Sequence, residues 1–159
     1  MKPATGGLAS EAVAAGMGLA QASGTLEVPT RGPGFYDITA KVGRWLESVD
    51  ADEGLLTVFI RHTSASLVIQ ENADPDVHAD LMDTLDRLAP QHAGYRHGME
   101  GPDDMPAHIR SMLTAVSLGV PVLARCMRLG TWQGLYVVEH RRAAHAREVA
   151  LHFMGRIRR

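Results

Sequence analysis

Two imidazoles and three carboxylates fall in one short segment, His97-Gly98-Met99-Glu100-Gly101-Pro102-Asp103-Asp104-Met105-Pro106-Ala107-His108. Its glycines and prolines keep most of it out of a core, so these polar groups are available for chemistry. A second imidazole-bearing run, His62-Thr63-Ser64, closes an apolar stretch, and Glu71-Asn72-Ala73-Asp74 closes the next. Three histidines drawn from three different elements, His62, His97 and His108, are the pattern of an open catalytic metal site. His108 stands in the first turn of an expected helix, where the positive end of the dipole favours the neutral imidazole that binds a metal or acts as a base.

The acids offer the complementary chemistry. Glu71 and Glu139 each follow apolar strand residues, an environment that can raise a carboxyl pKa toward general acid–base work. The competing reading for Glu139 is an ion pair with Arg141, Arg142 or Arg147. Asp103 and Asp104 precede a helix, so one of them is expected to cap it. Ser64 beside His62 lacks the Gly-x-Ser-x-Gly setting of a hydrolase nucleophile. With Thr63 it is better suited to hydrogen-bond a phosphate or to orient His62. Gly130-Thr131-Trp132-Gln133-Gly134 reads equally as a pocket edge or as a hairpin with Trp132 anchored in the core. His78, His92, His145 and His152 have no such context and read as surface or packing residues.

These groups must be positioned by a single domain. The chain has 159 residues, 45% hydrophobic and 21% charged, with a net charge of −2. That balance gives no nucleic-acid footprint, and no apolar run reaches the length of a membrane helix. The single cysteine, Cys126, cannot form an internal disulfide, which points to a reducing, cytoplasmic compartment; its apolar neighbours make it an expected core residue. Residues 1–23 read as a flexible N-terminal extension. Lys2 and the weak run at 12–20 mimic a secretory signal, but Glu11, Gly16 and Gly18 dilute it, and Met17 is an alternative start. Residues 24–155 form the domain, and 156–159 a basic, solvated tail.

Alternation predicts a strand over 25–30, and Arg31-Gly32-Pro33-Gly34 a turn. Ile38, Val42, Trp45, Leu46 and Val49 mark one face of a helix, and residues 50–54 break it. Strands are expected over 55–60 and 66–69. Asp74 caps a second helix with Pro75 at its first position and Val77, Leu81, Leu85 and Leu88 as its stripe. Residues 90–101 are a loop. The third helix starts at Asp103 or Asp104, turns Ile109, Leu113 and Val116 inward and ends at Gly119. Strands follow over 120–129, 132–139 and 149–154, with a basic loop at 141–147. Helices and strands do not alternate strictly, so the fold class is α+β: mainly antiparallel sheets with about three helices.

Taken together, several collinear motifs resemble the YjbQ (UPF0047) family of secondary thiamine-phosphate synthases. They are His62-Thr63-Ser64-Ala65-Ser66-Leu67, Glu71-Asn72-Ala73-Asp74-Pro75, Tyr95-Arg96-His97, Glu100 through Ile109, Ser117, Gly130-Thr131-Trp132-Gln133, Glu139-His140-Arg141 and Arg147. The resemblance runs from about Gly24 to Gly155. It implies a two-sheet β-sandwich assembled as a homotrimer. It further implies one pocket gathering His62, Glu71, Asn72, His97, Asp104, His108, Gln133 and Glu139, near a subunit boundary. The loop Arg141-Arg142-Ala143-Ala144-His145 lacks the Gly-Pro of many members, which puts contacts from it in doubt.

The implied activity is a weak or secondary thiamine-phosphate synthase, a transferase joining a thiazole phosphate to hydroxymethylpyrimidine pyrophosphate. Arg61, Arg96 and Arg147, with a divalent metal (zinc or magnesium), would hold the departing pyrophosphate, and Glu71 or Glu139 the developing positive charge. The Gly-rich phosphate loop of the usual barrel enzyme is absent, so the substrate is expected to be small and phosphorylated without being fixed further. Two alternatives stand beside it. One is a metal-dependent hydrolase of a small phosphorylated substrate, with His62, His97 and His108 on the metal. The other is a non-catalytic, small-ligand-binding trimer.

Overall fold

The structure, a computed structural model, describes residues 8–16 and 18–158. Strand β1 (Leu8–Gly16) pairs with β2 (Leu19–Thr30), and β3 (Gly34–Asp37) leads into helix α1 (Thr39–Ser48). β4 (Ala51–Ile60) and β5 (Ala65–Glu71) precede α2 (Pro75–Leu88) and α3 (Asp104–Leu113). β6 (Ser117–Leu123), β7 (Cys126–Met127), β8 (Gln133–Glu139) and β9 (His145–Ile157) complete the chain.

The strands form two antiparallel sheets, one in the order β1-β2-β9-β4-β6-β7 and one in the order β3-β8-β5. Period-two alternation sends every second residue of β2, β4 and β9 inward. Leu26, Val28, Leu56, Val58, Ile60, Val149, Leu151 and Phe153 thus meet Leu67, Leu135 and Val137 of the smaller sheet in a single core. The α+β sandwich expected from the sequence is the fold observed. α1 adds Val42, Trp45 and Leu46, all fully buried, on its predicted stripe. Gly54 and Gly155 face each other across β4 and β9. A Cβ on either would collide with backbone of the other strand, so glycine is what lets the two chains approach beside the bulge at Ala51 and Glu53.

Several expectations are corrected. Residues 8–16 and 19–23 are strand, paired edge to edge, rather than flexible extension; their alanines and serines lack the β-branched signature of a strand. Residues 1–7, Met17 and Arg159, and with them the reading of Lys2 and of Met17 as a start, lie outside the described residues. Residues 51–54 belong to β4, the break before it being Asp50 at φ +52°. The strand expected over 120–129 is a hairpin turning at Ala124 and Arg125, both with positive φ. Neither residue carries the Gly or Asn signature of such a turn, so composition did not mark it.

α3 ends at Leu113, with Thr114 extended. Leu113 and Val116 are accordingly exposed, at 52% and 38%. α2 buries no residue, and Leu88 is exposed. Cys126 is exposed and free, and Trp132 is 64% exposed rather than anchored in the core. No helix among the described residues is long and apolar enough to cross a membrane.

Candidate metal centre and adjoining cleft

Helix geometry builds the centre of the site. Asp104 is the first residue of α3, and His108 lies four residues on, so both project from one face. Gly101, at φ +103°, turns the preceding loop, and its carbonyl accepts the Asp104 N–H at 3.3 Å. That loop returns His97 to the same place. His97 Nε2 lies 2.6 Å from Asp104 Oδ2, and His108 Nε2 lies 3.2 Å from the same oxygen. One ligand atom from each of the three residues falls within 4.8 Å of the others.

The groups behind these three fix their orientation. His108 Nδ1 is 3.0 Å from the Thr63 carbonyl. A carbonyl only accepts, so Nδ1 carries a proton and Nε2 is the nitrogen turned toward Asp104. Asp104, 2% exposed, gives its other oxygen, Oδ1, to the Arg141 guanidinium. Burial alone would raise its carboxyl, but the hydrogen bond from His97 and the charge of Arg141 hold it below the ordinary value. Asp104 Oδ2 thus has two imidazole nitrogens at 2.6 and 3.2 Å, an arrangement that either a shared proton or a metal cation satisfies.

Asp103 sits at the N-cap but makes no side-chain cap bond. Its Oδ2 accepts from Arg141 Nε at 3.1 Å and from the Arg142 N–H at 2.9 Å. Arg141 also donates to the Glu100 carbonyl at 2.8 Å. The loop whose contacts were in doubt thus supplies the main support of Asp104, and Arg141 is the site residue that sequence reasoning missed.

His62 belongs to this corner in a different role. Its Nδ1 accepts from the Ser64 N–H at 3.1 Å and lies 3.0 Å from the Ser64 hydroxyl. Burial and the neighbouring charge of Arg147 hold its pKa below the ordinary histidine value. Among the described residues the third member of the metal-capable set is Asp104, in place of His62. The i, i+4 spacing of Asp104 and His108 was the signal available for it.

Glu139 is fully buried and saturated. It accepts from Arg147 Nε and Nη2 at 2.7 and 2.6 Å, from Thr30 Oγ1 at 2.7 Å, and from the N–H groups of His140 and Arg141 at 2.9 Å. Burial would raise its pKa, yet the hydrogen bonds from Arg147 and its neighbours lower it. It is therefore an ionised anchor at neutral pH, buried away from solvent, and the ion-pair reading of this residue is the one observed. Arg147 Nη2 also reaches Ser64 Oγ at 3.2 Å.

The single pocket implied for all the polar positions is not formed within one chain. Ala65 pairs with Glu139 at one end of the β5–β8 ladder, and Glu71 pairs with Gln133 at the other. Six strand steps separate them, about 20 Å. At that far end Asn72 Nδ2 donates to the carbonyls of Thr131 and Gln133, and Gln133 Oε1 accepts the Gly130 N–H. Glu71 Oε1 accepts the Ala73 N–H at 3.0 Å. These residues shape a turn there.

A cleft of about 480 Å³ opens beside the metal-capable group. Arg61, His62, Thr63 and His108 are its main polar lining, and Phe59, Met112 and Val116 much of its apolar lining. Arg61 pairs with Glu148 at the surface, and Arg96 is exposed next to His97.

The family model described as UPF0047 protein YjbQ-like matches residues 24–156. A UPF0047 protein of Synechocystis is 47% identical over 133 residues, spanning 83% of this chain and 90% of that protein. The UPF0047 protein YjbQ of Salmonella typhimurium is 39% identical, spanning 82% of this chain and 96% of its own. Among solved structures, a conserved hypothetical protein of Thermus thermophilus superposes with a TM-score of 0.72 at 38% identity, covering 80% of this chain and 96% of that one.

Proposed function

The chain belongs to the UPF0047 family of YjbQ-like proteins, and on that premise we propose that it is a metal-dependent enzyme acting on a small phosphorylated molecule. The observation that carries the proposal is the convergence of His108 Nε2 and His97 Nε2 on one ionised oxygen of Asp104. Two imidazoles and a carboxylate suit zinc or another transition ion better than magnesium, which prefers an all-oxygen shell. Three protein ligands leave positions for water and substrate.

The reaction that the resemblance implies, thiamine-phosphate synthesis, would use such a metal on the departing pyrophosphate. Hydrolysis would use it to activate water. One observation favours hydrolysis: neither Glu139, saturated by five donors, nor Glu71, at the far end of β5, is free in the cleft to stabilise a carbocation. The homotrimer is part of the proposal, supported by an α2 that buries no residue fully and leaves Leu88 exposed. So is a cytoplasmic location, supported by the free Cys126.

The test begins with chelator-stripped protein, with and without zinc. It is offered the two thiamine precursors in one assay and simple phosphate esters in another. Turnover is expected only with metal, and is expected to disappear in His97→Ala and His108→Ala. Turnover that survives chelation and both substitutions sinks the proposal. Saturable binding of the esters without turnover turns it into the ligand-binding alternative.

A further inference from the structure

His62 and His108 both line the cleft, and their hydrogen bonds put a proton on opposite ring nitrogens. For His108 the Thr63 carbonyl holds a proton on Nδ1. For His62 the reverse holds. A backbone N–H can only donate, so the Ser64 N–H at 3.1 Å makes Nδ1 an acceptor and places the imidazole proton on Nε2. The Ser64 hydroxyl reinforces this. It accepts from Arg147 at 3.2 Å, so its own hydrogen is directed at His62 Nδ1, 3.0 Å away.

Nothing in that chain can turn round. Arg147 has no acceptor form, and it is 1% exposed and bidentate on the fully buried Glu139. Ser64 is 1% exposed. His62 therefore presents an N–H in the polar lining of the cleft. With Nδ1 occupied and Nε2 protonated, it offers no lone pair to a metal.

Resting on the metal-centre reading above, we infer that His62 is the anion-contacting donor of the cleft. Its Nε2–H takes a phosphoryl oxygen of a metal-bound phosphate ester whose organic part is apolar. The apolar part follows from the rest of the lining, where Phe59, Met112 and Val116 are 43%, 77% and 38% exposed. A phenyl-sized group would cover this exposed carbon with carbon and remove it from water, which the hydroxyls of a sugar or polyol would not.

Long-range proton–nitrogen correlation on the folded chain reads the tautomers directly. Protonated Nε2 and bare Nδ1 are expected at His62, with a protonated Nδ1 at His108. Added zinc should perturb the nitrogens of His97 and His108 and leave the tautomer of His62 unchanged. Calorimetry on zinc-loaded protein should show phenyl phosphate binding at least about tenfold tighter than inorganic phosphate, and Met112→Glu should remove that preference.

His62→Ala should weaken both anions about tenfold without changing zinc affinity, and His62→Gln should restore them, since its amide N–H replaces the donor. A bare Nε2 at His62, or loss of zinc in His62→Ala, overturns the assignment of His62. Equal binding of phenyl and inorganic phosphate overturns the assignment of the apolar lining. If wild-type protein takes up no zinc, the metal proposal fails by itself, and the His62 assignment is then judged by its tautomer and by phosphate binding to the metal-free chain.

Discussion

Replacing Asp104 by Asn tests the metal centre at its most constrained atom. Asn keeps the size of the side chain and can still offer its carbonyl oxygen, but it removes the charge that the two imidazoles share. Metal that binds the folded chain stabilises it by RT ln(1 + [L]/Kd), about 2.7 kcal/mol at a free zinc concentration one hundred times Kd. For a domain of this size each kcal/mol moves the melting temperature by about 2–4 °C, so zinc should raise that of the wild type by about 5–10 °C.

Losing a ligand that Arg141 holds in place should weaken zinc at least about 100-fold, which brings [L]/Kd near one and the shift to about 1 °C. The metal-free variant will itself be less stable, because Arg141 loses one of its two carboxylates while keeping Asp103 and the Glu100 carbonyl. The quantity to compare is therefore the zinc-induced shift within each protein, measured by differential scanning fluorimetry on chelator-stripped samples. Equal shifts in wild type and Asp104→Asn would refute the assignment of Asp104, and with it the two-histidine, one-carboxylate site.

Arg147→Met should destabilise the fold by about 3–5 kcal/mol in chemical denaturation, because it leaves the Glu139 charge buried without its bidentate partner; a loss below about 1 kcal/mol would contradict that. His140 is buried, and desolvation, then the charge of Arg110, lowers its pKa from 6.5 to about 4. The unfolded chain therefore binds a proton between pH 6.5 and about 4 that the folded chain refuses. Stability should fall by about 3 kcal/mol as pH drops through that window, and His140→Gln should flatten the slope; an unchanged slope would assign it to other groups. Below that window the carboxylates Asp103, Asp104 and Glu139, all held below their ordinary values, should take over the acid sensitivity. Gly155→Ala should cost about 1–3 kcal/mol, since the new Cβ meets the backbone of Glu53 and Gly54; a melting temperature equal to wild type would show that β4 and β9 part there freely.

How much of this was legible depended on whether a feature is local. Asp74 caps α2 as expected, accepting the Asp76 N–H at 2.9 Å, because cap and proline are neighbours in sequence. The Ile38, Val42, Trp45 and Leu46 stripe is buried as its period predicts. Leu113 and Val116 keep the same period but fall at and beyond the last turn of α3, where Thr114 turns extended and the stripe loses its meaning. His97 and His108 stood out by type and setting. The partnership of Asp104 with His108 was also readable, from four-residue spacing on a predicted helix. The separation of Glu71 from Glu139 was not, since it depends on the register of β5 against β8, strands that lie more than sixty residues apart.

The buried pair of Glu139 and Arg147 shows why role is harder to read than position. Two charges withdrawn from water carry a desolvation cost that mutual attraction offsets only when every remaining donor and acceptor is satisfied. Here Thr30 and two backbone N–H groups complete the carboxylate, and the Ser64 hydroxyl extends the guanidinium. Such a network yields little net stability over an apolar core, but it has only one arrangement of protons. That arrangement passes through Ser64 to His62 Nδ1. A lone glutamate at the end of a strand looked like a general base because sequence displays the carboxylate and hides its five donors. In the folded chain its charge is spent holding an arginine, and the arginine sets the direction of a serine hydrogen. The group left facing the cleft is a histidine N–H.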